Sequence, residues 1–226
     1  MNAAEDRTML KYWFLGIEKS GKVCYNDFKC YREAVKCMVT VSAENFITDR
    51  STTCCFTGHR RKDLPFFGNV KKQGMKNLMS SIQLCCIQAY EAGYRTFLTG
   101  MAEGTDIFCG SVLLDIKNDS RYPDIKLVCV LPYKEQRREL HDMMDRYYHG
   151  ILLENADAVI VTGRADERDR YKKRNAFMVD HSSALIAVYK AKQGGSGTLQ
   201  TINMAKRQGL DLHMIDLDNN PQFYCD

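Results

Sequence analysis

From residue 52 onward, apolar runs of strand length alternate with helix-period stripes, and this alternation restricts the fold more than any other feature of the chain. The runs are 53-TCCFTG-58, 96-TFLTG-100, 125-IKLVCVL-131, 157-DAVIVTG-163, 184-ALIAVYK-190 and 210-LDLHMID-216. Several are apolar at consecutive positions, as strands covered on both faces require. Between them, Leu78, Ile82, Cys85 and Ala89 form one stripe that stops at Gly93. Leu140, Met143, Met144, Tyr147, Tyr148 and Ile151 form another at i, i+3, i+4, i+7 spacing. Parallel neighbours need a helix-length crossover, and such crossovers are right-handed. The expected fold class is therefore α/β, an open parallel sheet flanked by helices.

In such sheets ligands bind beyond the carboxyl ends of the strands, where the strand order reverses. The residues just after each strand are the ones to inspect, and three strands end alike, at Thr57-Gly58, Thr99-Gly100 and Thr162-Gly163. Residues 1–50 differ in texture. The segment 11–41 reads as two short strands joined around Lys19-Ser20-Gly21, then a helix carrying Tyr31, Ala34, Val35 and Met38, with 42–51 as linker. The expected division is a ββα-like N-terminal appendage over 1–50 and the main domain over 51–226. The first segment reads equally as an extension that covers a sheet edge.

Charge and cysteines narrow the setting. The 226 residues hold 32 Lys+Arg against 28 Asp+Glu, a formal +4, with one dense run at 164-RADERDRYKKR-174. That is too little for a general nucleic-acid surface. The ten cysteines do not sit in C-x-x-C pairs, and the first residues lack the order of a secretory signal. Reduced, core-packed thiols and a cytoplasmic location are expected. No segment approaches the ~20 apolar residues of a membrane span, so no membrane partner is expected. His141, His149, His181 and His213 show no metal spacing, and no metal site is expected.

Three loops carry candidate ligand chemistry. The first is 57-TGHRRKDLP-65, where Gly58, His59 and Arg60 follow a strand; Arg60 either pairs with phosphate or belongs to a solvated basic turn. The second is 100-GMAEGTDIFCG-110, which turns into a helix whose start favours anions. There Glu103 and Asp106 are either acceptors for ribose hydroxyls or ordinary first-turn acids. The third is 194-GGSGTLQTINMAKRQG-209, in which Gly194, Gly195 and Gly197 free the backbone ahead of a helix, while Ser196 and Thr198 supply hydroxyls. It lacks the Gly-Lys-Ser/Thr ending of a Walker loop and the third glycine of a dinucleotide fingerprint.

In order, Thr57-Gly58-His59-Arg60, then Gly100-Met101-Ala102 with Gly104 and Asp106, then 174-RNAFMVDHSSALIAVY-189, then Gly194-Gly195-Ser196-Gly197-Thr198 with Thr201 and Ile202 closely resemble the YpsA-like family of the SLOG superfamily, which also holds the LOG and DprA/Smf proteins. The resemblance spans about residues 52–216. It implies a Rossmann-like sheet whose glycine loops bind a nucleotide or nucleotide-derived ligand such as NAD, ADP-ribose or a related signalling nucleotide. Carried over, Gly195, Ser196, Gly197 and Thr198 would hold phosphate, Gly100, Met101 and Ala102 would line the same cleft, and Arg174 and Asn175 would add charge and an amide. Tyr133, just after the third strand, either stacks on a base or packs.

LOG enzymes, which cleave the base from nucleoside monophosphates, look similar in the glycine loop but follow it with a glutamate pair where this chain has Gln200-Thr201. An oxocarbenium-like transition state wants a nearby carboxylate, so catalysis is disfavoured, with Glu103 and Asp106 as substitute acids if the chain is a hydrolase. The leading expectation is a nucleotide sensor or regulatory module without obligatory cofactor. The alternatives are a LOG-like nucleotide N-glycosidase and a sponge that sequesters a signalling nucleotide in phage–host conflict. A homo-oligomer is compatible with all three.

Overall fold

Seven parallel strands form one sheet in the computed structural model, which describes residues 40–226. The strands are β1 (Thr40–Ser42), β2 (Thr53–Gly58), β3 (Thr96–Thr99), β4 (Lys126–Leu131), β5 (Ala158–Val161), β6 (Ala184–Tyr189) and β7 (Asp211–Asp216). Five α-helices connect them: α1 (Gln73–Glu91), α2 (Thr105–Lys117), α3 (Met143–Asn155), α4 (Arg170–Asp180) and α5 (Gly197–Arg207). The strand order is β1-β5-β4-β3-β2-β6-β7, so the fold is a Rossmann-like open α/β sheet. Of the segment 11–41 expected to form two strands and a helix, residues 11–39 lie outside the described residues.

The six apolar runs each form a strand, and the order explains their composition. β2 lies between β3 and β6 and is buried along all but its last residue. β2 to β5 step in one direction across the sheet, so right-handed crossovers place α1, α2 and α3 on one face; the return from β5 to β6 and the step on to β7 place α4 and α5 on the other. Helices α1 and α2, α2 and α3, and α4 and α5 pack as neighbours. Under α4 and α5 lies a core of Cys55, Leu98, Val130, Met178, Leu185 and Ile202. Phe56 and Phe97 stack at 6.0 Å between ring centroids, and Cys54, Cys86, Cys109 and Cys129 are fully buried free thiols.

Two local features differ from expectation. Thr40–Ser42 is a strand paired with β5 at the sheet edge, and the segment read as a linker holds the end of that strand and two 3-10 turns. In α3 the apolar stripe is not the buried face. Met143, Met144 and Tyr147 are exposed, whereas Asp145, His149, Leu152 and Leu153 are buried. The reason is Asp145, which receives the guanidinium of Arg61 and the amide of Gly104 at 3.0 Å and so turns inward.

Candidate functional site

The strand order reverses between β2, which leads to β3 on one side, and β6, which leads to β7 on the other. The loops leaving these two strands are tied together by side chains. His59 is buried, its ring stacks on Tyr189 at 5.7 Å, and its Nε2 lies 2.8 Å from the carbonyl of Lys190. A carbonyl only accepts, so Nε2 carries the proton, and burial pushes the imidazole pKa down and keeps it neutral. Thr198 Oγ1 donates to the Gly58 carbonyl at 2.8 Å, and Lys192 pairs with Asp63 at 2.5 Å. A Cβ at Gly58 would stand 2.3 Å from Thr105, which explains the glycine there.

Beyond β6 the glycine loop opens outward. Gly194 and Gly195 take φ of 77° and 80°, a region that glycine enters without steric cost. Ser196 is the N-cap of α5 and accepts from the Leu199 amide at 3.1 Å. The amides of Gly197 and Thr198 meet no acceptor among the described residues, as the first turn of a helix leaves them. A Cβ at Gly194, Gly195 or Gly197 would meet nothing within 4 Å. Beneath this turn, Thr201 is fully buried, donates to the Gly197 carbonyl and accepts from Asn175 Nδ2 at 3.0 Å. Asn175 and Thr201 therefore buttress the loop from below, while Gln200 is exposed.

The loop between β3 and α2 is built around a buried ion pair. Arg174 Nη1 donates to the Gly100 carbonyl and to Asp106 Oδ2, the latter at 3.1 Å. Asp106 Oδ2 also accepts from the Ala102 amide at 3.2 Å, and Gln136 Nε2 donates to the Met101 carbonyl at 3.0 Å. Met101, at φ 57°, is wholly buried and Ala102 nearly so. Asp106 and Arg174 thus hold this loop in shape through each other. Gly104, at φ 90°, passes so close to the β2 loop that a Cβ would lie 2.4 Å from the Arg61 amide.

Next to these loops, at the carboxyl edge, is a cavity of about 570 Å³ lined by Arg60, Lys62, Glu103, Gln136, His141 and Tyr171, among others. Arg60 is exposed and lies over the Tyr171 ring at 5.8 Å. Its neighbour Arg61 is held instead by Asp145, Asp142 and the Gly68 carbonyl. Glu103 Oε2 stands 3.4 Å from His141 Nδ1. Glu139, also on the wall, accepts from Tyr171 and from Arg170 Nη2 at 3.3 Å. The hydroxyls of Tyr133 and Tyr171 beside it, with the charge of Arg170, hold its carboxyl below the usual range. Tyr133 is buried, with the Arg170 guanidinium 5.2 Å over its ring, so it packs against that side chain. Gln136 is buried and its Oε1 has no partner among the described residues.

The structure brings Gly58, His59, Arg60, Thr198 and the glycine loop to one edge, and the same edge receives Gly100 to Asp106. Gln136, Glu139 and Tyr171 were not singled out from the sequence, and His141 was weighed there only as a metal ligand. They fall in 134-KEQRRELH-141 and in the basic run before Arg174, stretches whose charge reads as solvated surface.

Comparison with known proteins fits this geometry. The YpsA family model, described as the YspA SLOG family, matches residues 54–220. The "Uncharacterized SPbeta prophage-derived protein YoqJ" of Bacillus subtilis (strain 168) is 33% identical over 154 residues, which are 60% of this chain and 83% of that protein. A "UPF0398 protein" of Bacillus cereus (strain ATCC 14579) is 26% identical over 155 residues, 68% of this chain and 82% of that protein. One from Bacillus thuringiensis (strain Al Hakam) is similar to the same extent.

Proposed function

The chain belongs to the YpsA family of SLOG proteins, and we propose that it binds a nucleotide or nucleotide-derived ligand as a sensor or regulatory module. Membership of that family suggests a nucleotide-related ligand. The observation that carries the finer reading is the open glycine loop at the β2/β6 switch point, tied to β2 through Thr198 and ending in two unpaired amides. Amides at a helix start favour phosphate. Arg60 supplies a charge free of carboxylate partners among the described residues, and Tyr171 beneath it offers a ring face for a base. Glu103 is placed to accept from ribose hydroxyls on the cavity wall.

Binding without turnover is favoured by the state of the acids. Asp106 is occupied by Arg174 and Ala102, and Glu139 by Tyr171 and Arg170. Thr201, one of the two residues where LOG enzymes carry glutamates, is buried on the inner face of α5. A second reading rests on Glu103, which faces the cavity with His141 at 3.4 Å and would be the acid of a nucleotide N-glycosidase. Chromatography after incubation with AMP, NAD and ADP-ribose separates the two. Intact nucleotide that raises the melting temperature is the expected result. Free base released in multiple turnovers, and lost in Glu103→Gln, would establish the hydrolase.

A further inference from the structure

Lys62 lines the large cavity and also a second one of about 320 Å³ on the other side of the β2 loop. The second cavity is basic and aromatic. Lys190 and Lys192 come from the segment after β6, Phe66 and Phe67 from the β2 loop, and Tyr224 from the 3-10 turn near the C-terminus. Its one carboxylate, Asp63, is taken by Lys192 at 2.5 Å, so Lys62 and Lys190 remain as excess positive charge. Lys62 has no hydrogen bond or ion pair among the described residues, and Lys190 Nζ lies 5.6 Å over the Tyr224 ring. Phe66 and Phe67 take φ of 48° and 55°, a conformation that bulky residues rarely adopt. Phe67 is left 75% exposed at the cavity and Tyr224 43%.

We propose that the second cavity is a subsite for a second ring system, and that the ligand is a dinucleotide whose phosphate bridge passes over Lys62. The proposal rests on the nucleotide-binding reading of the first cavity. The first cavity offers the half-buried ring of Tyr171 with Arg60 over it, and the second the exposed rings of Phe67 and Tyr224 with Lys190 over the latter, which suits two rings; a shared lysine between them suits an anionic linker. A mononucleotide fills only the first.

The test is calorimetric titration of the full chain with AMP and with NAD, for the native protein and for Lys190→Glu and Phe67→Ala, which lie outside the first cavity. The native chain is expected to bind NAD at least about 10-fold more tightly than AMP, a gap of about 1.4 kcal/mol. Both variants, melting as the native protein does, should lose that advantage and keep their AMP affinity. Equal native affinities, or an NAD advantage that survives both substitutions, would overturn the second subsite while leaving nucleotide binding intact. Binding of neither nucleotide would overturn both. Tighter binding of a single-stranded oligothymidine than of NAD, lost in the same variants, would overturn the dinucleotide in favour of a strand.

Discussion

Arg174 of α4 and Asp106 of α2 meet at 3.1 Å, both almost wholly buried, and Gly100 leaves the space that their contact needs. A Cβ at Gly100 would lie 1.5 Å from Arg174 Nη1. The pair therefore fixes the β3–α2 loop beside the switch point, and the site depends on it indirectly.

Arg174→Ala should destabilise the protein by about 3–5 kcal/mol, because it leaves Asp106 buried without its counter-charge. Gly100→Ala should cost a comparable amount by displacing the guanidinium. Urea unfolding at neutral pH measures both. A loss under about 1 kcal/mol for Arg174→Ala would mean that the pair does not hold the loop.

The glycines of the site should divide by crowding. Gly197→Ala places a Cβ where nothing lies within 4 Å and should leave the melting midpoint unchanged or slightly raised. Gly58→Ala meets Thr105 at 2.3 Å and should cost roughly 1–3 kcal/mol through overpacking. Differential scanning calorimetry of the two variants checks the order, and the reverse order would refute the described loop packing.

His149 is buried with both ring nitrogens unpaired among the described residues, and burial pushes its pKa from 6.5 to about 3. The folded state therefore holds fewer protons than the unfolded chain between those values. Its contribution is intact above about 6.5 and is lost as pH falls toward about 3, at up to ~1.4 kcal/mol per pH unit. Unfolding of native protein and His149→Gln across that range should show a shallower acid decline in the variant. Parallel profiles would show that His149 is not the buried neutral group.

Asp115 acts in the opposite direction. Burial raises its pKa from 3.8 to about 6, so it costs stability as pH rises through that window. Asp115→Asn should stabilise the protein at pH 7 and lose its advantage by about pH 4. A destabilised variant at pH 7, in the same urea assay, would contradict this.

How far the sequence was readable depends on the range of the interactions. β2 to β7 coincide with the apolar runs to within a residue or two, because two-sided burial leaves a local signature. β1 carries only Thr40, Val41 and Ser42 at an edge, with no residue fully buried, and so leaves none. The inward face of α3 was hidden because Asp145 is buried by Arg61, 84 residues away. Arg60 and Arg61 are adjacent and chemically alike, yet only the fold shows that Arg61 is a brace held by Asp145 while Arg60 lies exposed over Tyr171. Glu139 and Tyr171 were lost among charges for the same reason.

The most direct test of nucleotide binding at the glycine loop is calorimetry with AMP on the native chain and on Gly197→Asp, each checked for an unchanged melting transition. Asp adds a negative charge beside the two unpaired amides at a position where a Cβ meets nothing within 4 Å. The native chain should bind AMP, release it intact, and bind less tightly as salt rises; Gly197→Asp should bind at least about 10-fold more weakly. Equal affinity in a folded Gly197→Asp protein would contradict the assignment of the loop.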